Sequence, residues 1–146
     1  LSMIVGALAF GPMDRIIRSR KHIVLLGTSL ACVCIAWLWA GAGQQSLFMV
    51  TALLVGIGFF GSAFSQIMNH GRTLLPEHLT GRGVTLINLF SIGGVGVFQI
   101  LTGRVFVSAA VQGTDNLVAY KVVFGLFAVS LCVGCLVYLL SKEQDT

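Results

Sequence analysis

The sequence predicts an all-α chain, a polytopic bundle of transmembrane helices. Two observations carry this. Hydrophobic residues make up 56% of the chain and charged residues only 10%, against about 25% charge in an ordinary soluble domain. Mean hydropathy is +0.94, more apolar surface than a core of this size hides from water, and lipid is the solvent that accepts it. The charges also cluster: Gly11-Pro12-Met13-Asp14-Arg15-Ile16-Ile17-Arg18-Ser19-Arg20-Lys21-His22 is a basic stretch set between long apolar runs.

Residues 1–11 read as the inner end of a partial helix, with Gly6 and Ala9 as small packing residues, and Pro12 is expected to end it. The apolar run at the very start suggests a fragment whose first helix is cut. A basic loop is expected over 12–22. Residues 23–42 carry no charge for a length that crosses a hydrocarbon core of about 30 Å, and Trp37 and Trp39 sit where an interfacial aromatic belt belongs. After the uncharged turn Gly41-Ala42-Gly43-Gln44-Gln45-Ser46, a span over 47–68 runs back. A second polar loop covers 69–82, followed by spans over 84–107 and 117–140 and a polar tail. The whole is one membrane domain.

Charge gives the orientation. Arg15, Arg18, Arg20, Lys21, Arg72, Arg82 and Lys142 fall on one side under strict alternation, and Arg104 and Lys121 on the other. The positive-inside effect then places the basic loops and the C-terminal tail in the cytoplasm, in a plasma membrane of the bacterial inner-membrane kind. It also accounts for the net charge of +4 without a nucleic-acid partner.

Polar residues inside the spans form two stripes. The 47–68 span carries Thr51, Ser62, Ser65, Gln66 and Asn69, with positions 51, 55, 58, 62, 65 and 69 on one face, and the 84–107 span carries Asn88, Ser91, Gln99 and Thr102, with positions 88, 91, 95, 99 and 102 on one face. A buried amide in lipid costs several kcal/mol when unpaired, so these faces are expected to meet protein or water. Two readings stand: hydrogen bonding between helices, worth about 0.6–2 kcal/mol per contact, or a wet solute path. The same spans concentrate glycine, at Gly56, Gly58 and Gly61 and at Gly93, Gly94, Gly96 and Gly103, where backbones can approach closely. The 23–42 and 117–140 spans carry few polar groups and read as lipid-facing supports. Arg104 lies about 33 Å along a helix from Arg82, near the outer interface, where it snorkels or meets a substrate anion.

Several apparent motifs dissolve on inspection. Gly56-Ile57-Gly58-Phe59-Phe60-Gly61 has the letters of a dinucleotide fingerprint but lies inside an apolar helix with no preceding strand. Cys132-Val133-Gly134-Cys135 lacks the polar helix start that a redox C-x-x-C needs. Cys32 and Cys34 point to opposite sides of a helix, so all four cysteines read as small apolar packing residues. His22, His70 and His78 are expected in loops and share no ligand spacing. No cofactor, metal or catalytic group is expected, and the chain does not read as an enzyme.

With these residues in hand, the chain resembles the C-terminal half of a major facilitator superfamily transporter. Asp14-Arg15-x-x-Arg18-x-Arg20-Lys21 between two spans resembles the family's cytoplasmic loop signature, although the signature's opening glycine falls at Phe10 and its inner glycine at Ile17. Leu75-Pro76-Glu77-His78-Leu79-Thr80-Gly81-Arg82-Gly83 resembles the family's later loop. Residues 93–103 contain no proline, unlike the antiporter-type run. The resemblance implies that the spans are helices eight to twelve of a secondary transporter that moves a small polar or anionic solute by alternating access. Its missing N-terminal half would then be its partner, alongside the lipid bilayer and a small-molecule substrate. Thr51, Ser62, Ser65, Gln66, Asn69, Asn88, Ser91, Gln99 and Arg104 become candidates for the substrate path. Asp14, Arg15, Arg18, Arg20, Lys21 and Arg82 become a conformational latch. A non-transporting assembly or sensory module, packing through its glycine-rich faces, is the alternative.

Overall fold

The computed structural model describes residues 1–17, 20–73, 76–111 and 116–141. The described residues are helical with no strand: α1 (Ser2–Ile17), α2 (Arg20–Ala40), α3 (Leu47–Gly61), α4 (Phe64–Thr73), a single 3-10 turn at Glu77–Leu79, α5 (Thr80–Val111) and α6 (Asn116–Leu139). Four stretches are long and apolar enough to cross a membrane: Lys21–Ala40, Leu47–Ile67, Thr80–Ser108 and Leu117–Leu139. This is the composition of a multi-pass membrane protein, because a helix satisfies its own backbone where no water can.

The turn between α2 and α3 follows from local chemistry. Gly43 takes φ 88°, a left-handed conformation that a side chain disfavours. The Trp37 carbonyl near the end of α2 accepts both the Gly41 N–H at 3.0 Å and the Gln45 amide at 2.8 Å. Ser46 is the N-cap of α3: its backbone is extended and its hydroxyl accepts from the Met49 N–H at 3.3 Å.

Four boundaries differ from the sequence reading. Pro12 does not end α1, which runs on to Ile17. Proline's fixed φ suits a helix, and the one hydrogen bond it removes is a loss that membrane helices tolerate. The 47–68 span is two helices, broken at Ser62–Ala63. The 69–82 loop is largely helical, since α4 extends to Thr73 and α5 begins at Thr80; His22 and His70 therefore stand in helices rather than loops. At 32 residues, α5 is about 48 Å long, so it tilts or projects beyond a core of about 30 Å.

The arrangement of supports also differs. α2, expected to face lipid, is the centre of the bundle, packed on α1, α3, α4 and α6. Ile23, Val24, Ala31, Cys32 and Leu38 on it are all buried. An all-apolar surface suits lipid and protein equally, so composition does not choose between them. α6 lies antiparallel on α2 and is pinned at both ends. Near one end the Lys21 ammonium donates to the Leu139 and Ser141 carbonyls at 2.8 and 2.5 Å, a cation at a helix C-terminus where the dipole favours it. Near the other, Trp39 packs against Gly125, with the Lys121 ammonium 5.9 Å from its ring centroid. α5 is peripheral, resting on α4 and α6; Phe98 stacks on Phe127 at 6.3 Å and Phe106 meets Tyr120 edge-on at 5.1 Å.

Gly27 is a point of close approach between α2 and the broken span. A Cβ there would collide with the Ala63 Cβ and come within 3.0 Å of the Phe60 carbonyl. Gly27→Val is therefore expected to destabilise the folded chain by about 1–3 kcal/mol, read as a lower thermal midpoint in detergent. Gly134→Val, where nothing lies within 4 Å, is expected to leave that midpoint nearly unchanged.

Candidate functional site

The only described polar side chains that are both buried and within a membrane-length span sit at the break between α3 and α4: Ser62 and Gln66, each 3% exposed. The sequence explains the break. Gly61 is a weak helix former, and Ser62 follows it with a hydroxyl that competes for a carbonyl of the preceding turn, a pairing that commonly kinks helices. The Ser62 hydroxyl donates to the Phe59 carbonyl at 2.7 Å, and the Ser65 hydroxyl to the Ser62 carbonyl at 2.9 Å. The backbone tightens to three-residue bonds: Ser62 to Phe59, Ala63 to Phe60, Ser65 to Ser62 and Gln66 to Ala63, at 3.0–3.3 Å. The helix is locally tightened there, its N–H groups pairing with carbonyls three residues back.

Two glycines make room for close packing at the break. Gly27 of α2 abuts Phe60 and Ala63, and Gly6 of α1 abuts the Phe59 carbonyl and the Ser62 hydroxyl. α1 runs parallel to the broken span: Gly58 meets Ser2, Gly6 meets Ser62, and the Gln66 amide donates to the Phe10 carbonyl at 3.3 Å. Steps of four residues on both helices keep one face of each in register. Around this seam Phe10, Ile23 and Ala63 form a buried cluster backed by Met13, Phe59 and Phe60. The Phe10 and Phe59 rings lie 5.7 Å apart and the Phe59 and Phe60 rings 5.3 Å, the latter edge to face.

The described candidates for the substrate path stand in different surroundings. Ser62 and Gln66 are buried against α1, whereas Thr51 and Ser65 of the same span are exposed. Thr51 donates back to the Leu47 carbonyl at 2.8 Å. Asn88, Gln99 and Arg104 are exposed on α5 and Ser91 is half-buried. α5 rests on α4, the part of that span that carries Ser65, Gln66 and Asn69, whereas α3, which carries Thr51, packs on α1 and α2. The Asn69 side chain lies outside the described residues, as do Arg18 and the side chains of Asp14, Arg15 and Arg20. Of the expected latch, Lys21 holds the end of α6 and Arg82 is exposed in the first turn of α5.

Two features escaped the sequence reading. The interaction of Lys21 with the end of α6 spans 118 residues in sequence, and basic loops near membrane ends are too common to single it out. Cys32 meets Cys132 with their sulfurs 3.0 Å apart, a pairing that no local spacing announces. Comparison with known proteins finds no relative: no family model matches the chain, and no match is found among curated proteins or solved structures.

The Gln66 bond to α1 yields a direct test. Gln66→Leu removes a buried donor and leaves the Phe10 carbonyl with one partner fewer, so a loss of about 1 kcal/mol is expected. The check is equilibrium unfolding in mixed micelles, with Thr51→Ala, exposed on α3 away from the break, as the control expected to change little.

Proposed function

We propose that this chain is one half of a secondary transporter of the major facilitator kind, moving a small polar or anionic solute by alternating access. The observation that carries the reading is the outward face of α5. Asn88, Ile92, Gly96, Gln99 and Gly103 share one side of that helix. Asn88, Ile92, Gln99 and Gly103 are exposed, and a Cβ at Gly96 or Gly103 would meet nothing within 4 Å. Amides facing acyl chains would be costly. A face of two amides and two open glycines suits a second helical body that closes against α5 and admits water when it separates, and transporter sites lie between such halves.

On this reading α2 and the α3–α4 break form the rigid packing of one half. Asn88 and Gln99 supply hydrogen-bonding groups along the path, and Arg104 attracts an anion near its outer mouth. Lys21 and Arg82 stand at starts of helices that run in the same direction, the end assigned to the cytoplasm by the positive-inside effect. Asp14, Arg15, Arg18 and Arg20 belong to the same end as latch residues. A carboxylate or cation there biases an inward–outward equilibrium when it favours one state by a few kcal/mol. Gly96 and Gly103 fit equally well the second reading, a non-transporting module that assembles through α5.

Access to water separates the two. The full protein, with its native cysteines replaced and a single cysteine at Asn88 or Gln99, is treated in sealed vesicles with a membrane-impermeant maleimide applied from one side and then the other. Alternating access is expected to give labelling at both positions, with the accessible side changing between conformations. Absence of labelling from either side would overturn the transport reading and leave the assembly module.

A further inference from the structure

We propose that Cys32 and Cys132 form a dithiol site that a hydroperoxide converts to a disulfide, fastening α2 to α6 within the membrane. The two sulfurs stand 3.0 Å apart although the residues are 100 positions apart in the chain. An S–S bond is about 2.05 Å long, so closure asks for a shift of about an ångström. The frame around the pair limits other movement. Lys21 holds one end of the α2–α6 seam and Trp39 with Gly125 the other, and the pair lies between them.

The surroundings give the two thiols different parts. Cys32 is buried, and its S–H reaches toward the Ala128 carbonyl at 3.7 Å. Cys132 is exposed on the outer surface of α6, where acyl chains would run. Cys34 faces the opposite side of α2, its sulfur 3.2 Å from where a Cβ on Gly56 would be.

The chemistry balances with a hydroperoxide as the two-electron oxidant. The Cys132 sulfur attacks the terminal oxygen of ROOH, the O–O bond breaks, and the products are Cys132 sulfenic acid and the alcohol ROH. The Cys32 sulfur then attacks the Cys132 sulfur. The S–S bond forms, the S–O bond breaks, and the hydroxyl leaves as water with the Cys32 thiol proton. Two thiols and one ROOH become one disulfide, one ROH and one water. The oxidant is hydrogen peroxide arriving from water or an acyl-chain hydroperoxide arriving through lipid. The exposure of Cys132 admits both, and the inference does not depend on the transport reading.

The full-length protein in phospholipid vesicles is exposed either to hydrogen peroxide or to vesicles carrying an oxidised linoleoyl lipid. It is then unfolded, alkylated and mapped by mass spectrometry. The expected result is a peptide pair linked through Cys32 and Cys132, lighter by two hydrogens and released by dithiothreitol, with Cys34 and Cys135 still alkylated. Formation only with the oxidised lipid names the bilayer as the source, and formation with peroxide alone names the aqueous phase. Cys132→Ser is expected to leave Cys32 as a free thiol under both oxidants. Retention of all four thiols, or a link from Cys132 to Cys135 or to another chain, would overturn the proposal. If Cys132→Ser does not insert, the wild-type peptide map decides by itself.

Discussion

Hydrocarbon offers nothing to complete an unfinished hydrogen bond, and this one constraint organises the chain. Serine and threonine hydroxyls along the spans turn back onto their own helix: Thr28 to Val24, Thr51 to Leu47, Thr102 to Phe98 and Ser130 to Leu126, all at 2.6–2.8 Å. A hydroxyl satisfied this way makes no demand on its neighbour and lets its face meet lipid. The same economy governs the break at Ser62–Ala63, where the Ser62 and Ser65 hydroxyls and four backbone N–H groups bond to carbonyls three residues back. Gln66 is the exception: its amide crosses to the Phe10 carbonyl and ties α4 to α1.

Once the polar groups are satisfied locally, nothing hydrophobic drives the helices together, because lipid tails are as apolar as leucine. Contact then depends on how closely backbones approach. Gly6 and Gly27 do this on adjoining faces of the break, bringing α1 and α2 onto the Phe59, Phe60, Ser62 and Ala63 surface. That explains why the central helix is α2, whose sequence carries few polar groups. It is central because it has a glycine where the broken span needs room and a lysine where the last helix ends. The supports at its two ends hold α6 along its length, and Cys32 and Cys132 meet between them.

α5 stands apart from this economy. Its amides at positions 88 and 99 are exposed, and its glycines at 93, 94, 96 and 103 have open space around them, unlike Gly6, Gly27 and Gly58. The chain therefore has two kinds of glycine-rich helix face, one already used internally and one left open. The reading of the protein as half of a transporter rests on the open face, and the stability of the chain rests on the closed one.

By itself the sequence determined the class of structure: uncharged runs of membrane length leave the backbone no choice but helix, and a short polar stretch places the turn at 41–46, while helix extends into the polar stretches 12–22 and 69–82. It also marked the polar residues that matter, since amides are rare in such runs. What it left undecided were the neighbours. Ser62, Gln66, Asn88 and Gln99 look alike on a helical wheel, yet the first two are sealed against α1 and the last two face outward. α2 and α6 read alike as greasy rods, yet one is the core and the other lies on its surface. Periodicity reports which residues share a side of a helix. Which helix covers that side is settled by the fit of glycines, aromatic rings and helix ends brought together from up to 120 residues apart, and only the tertiary structure contains it.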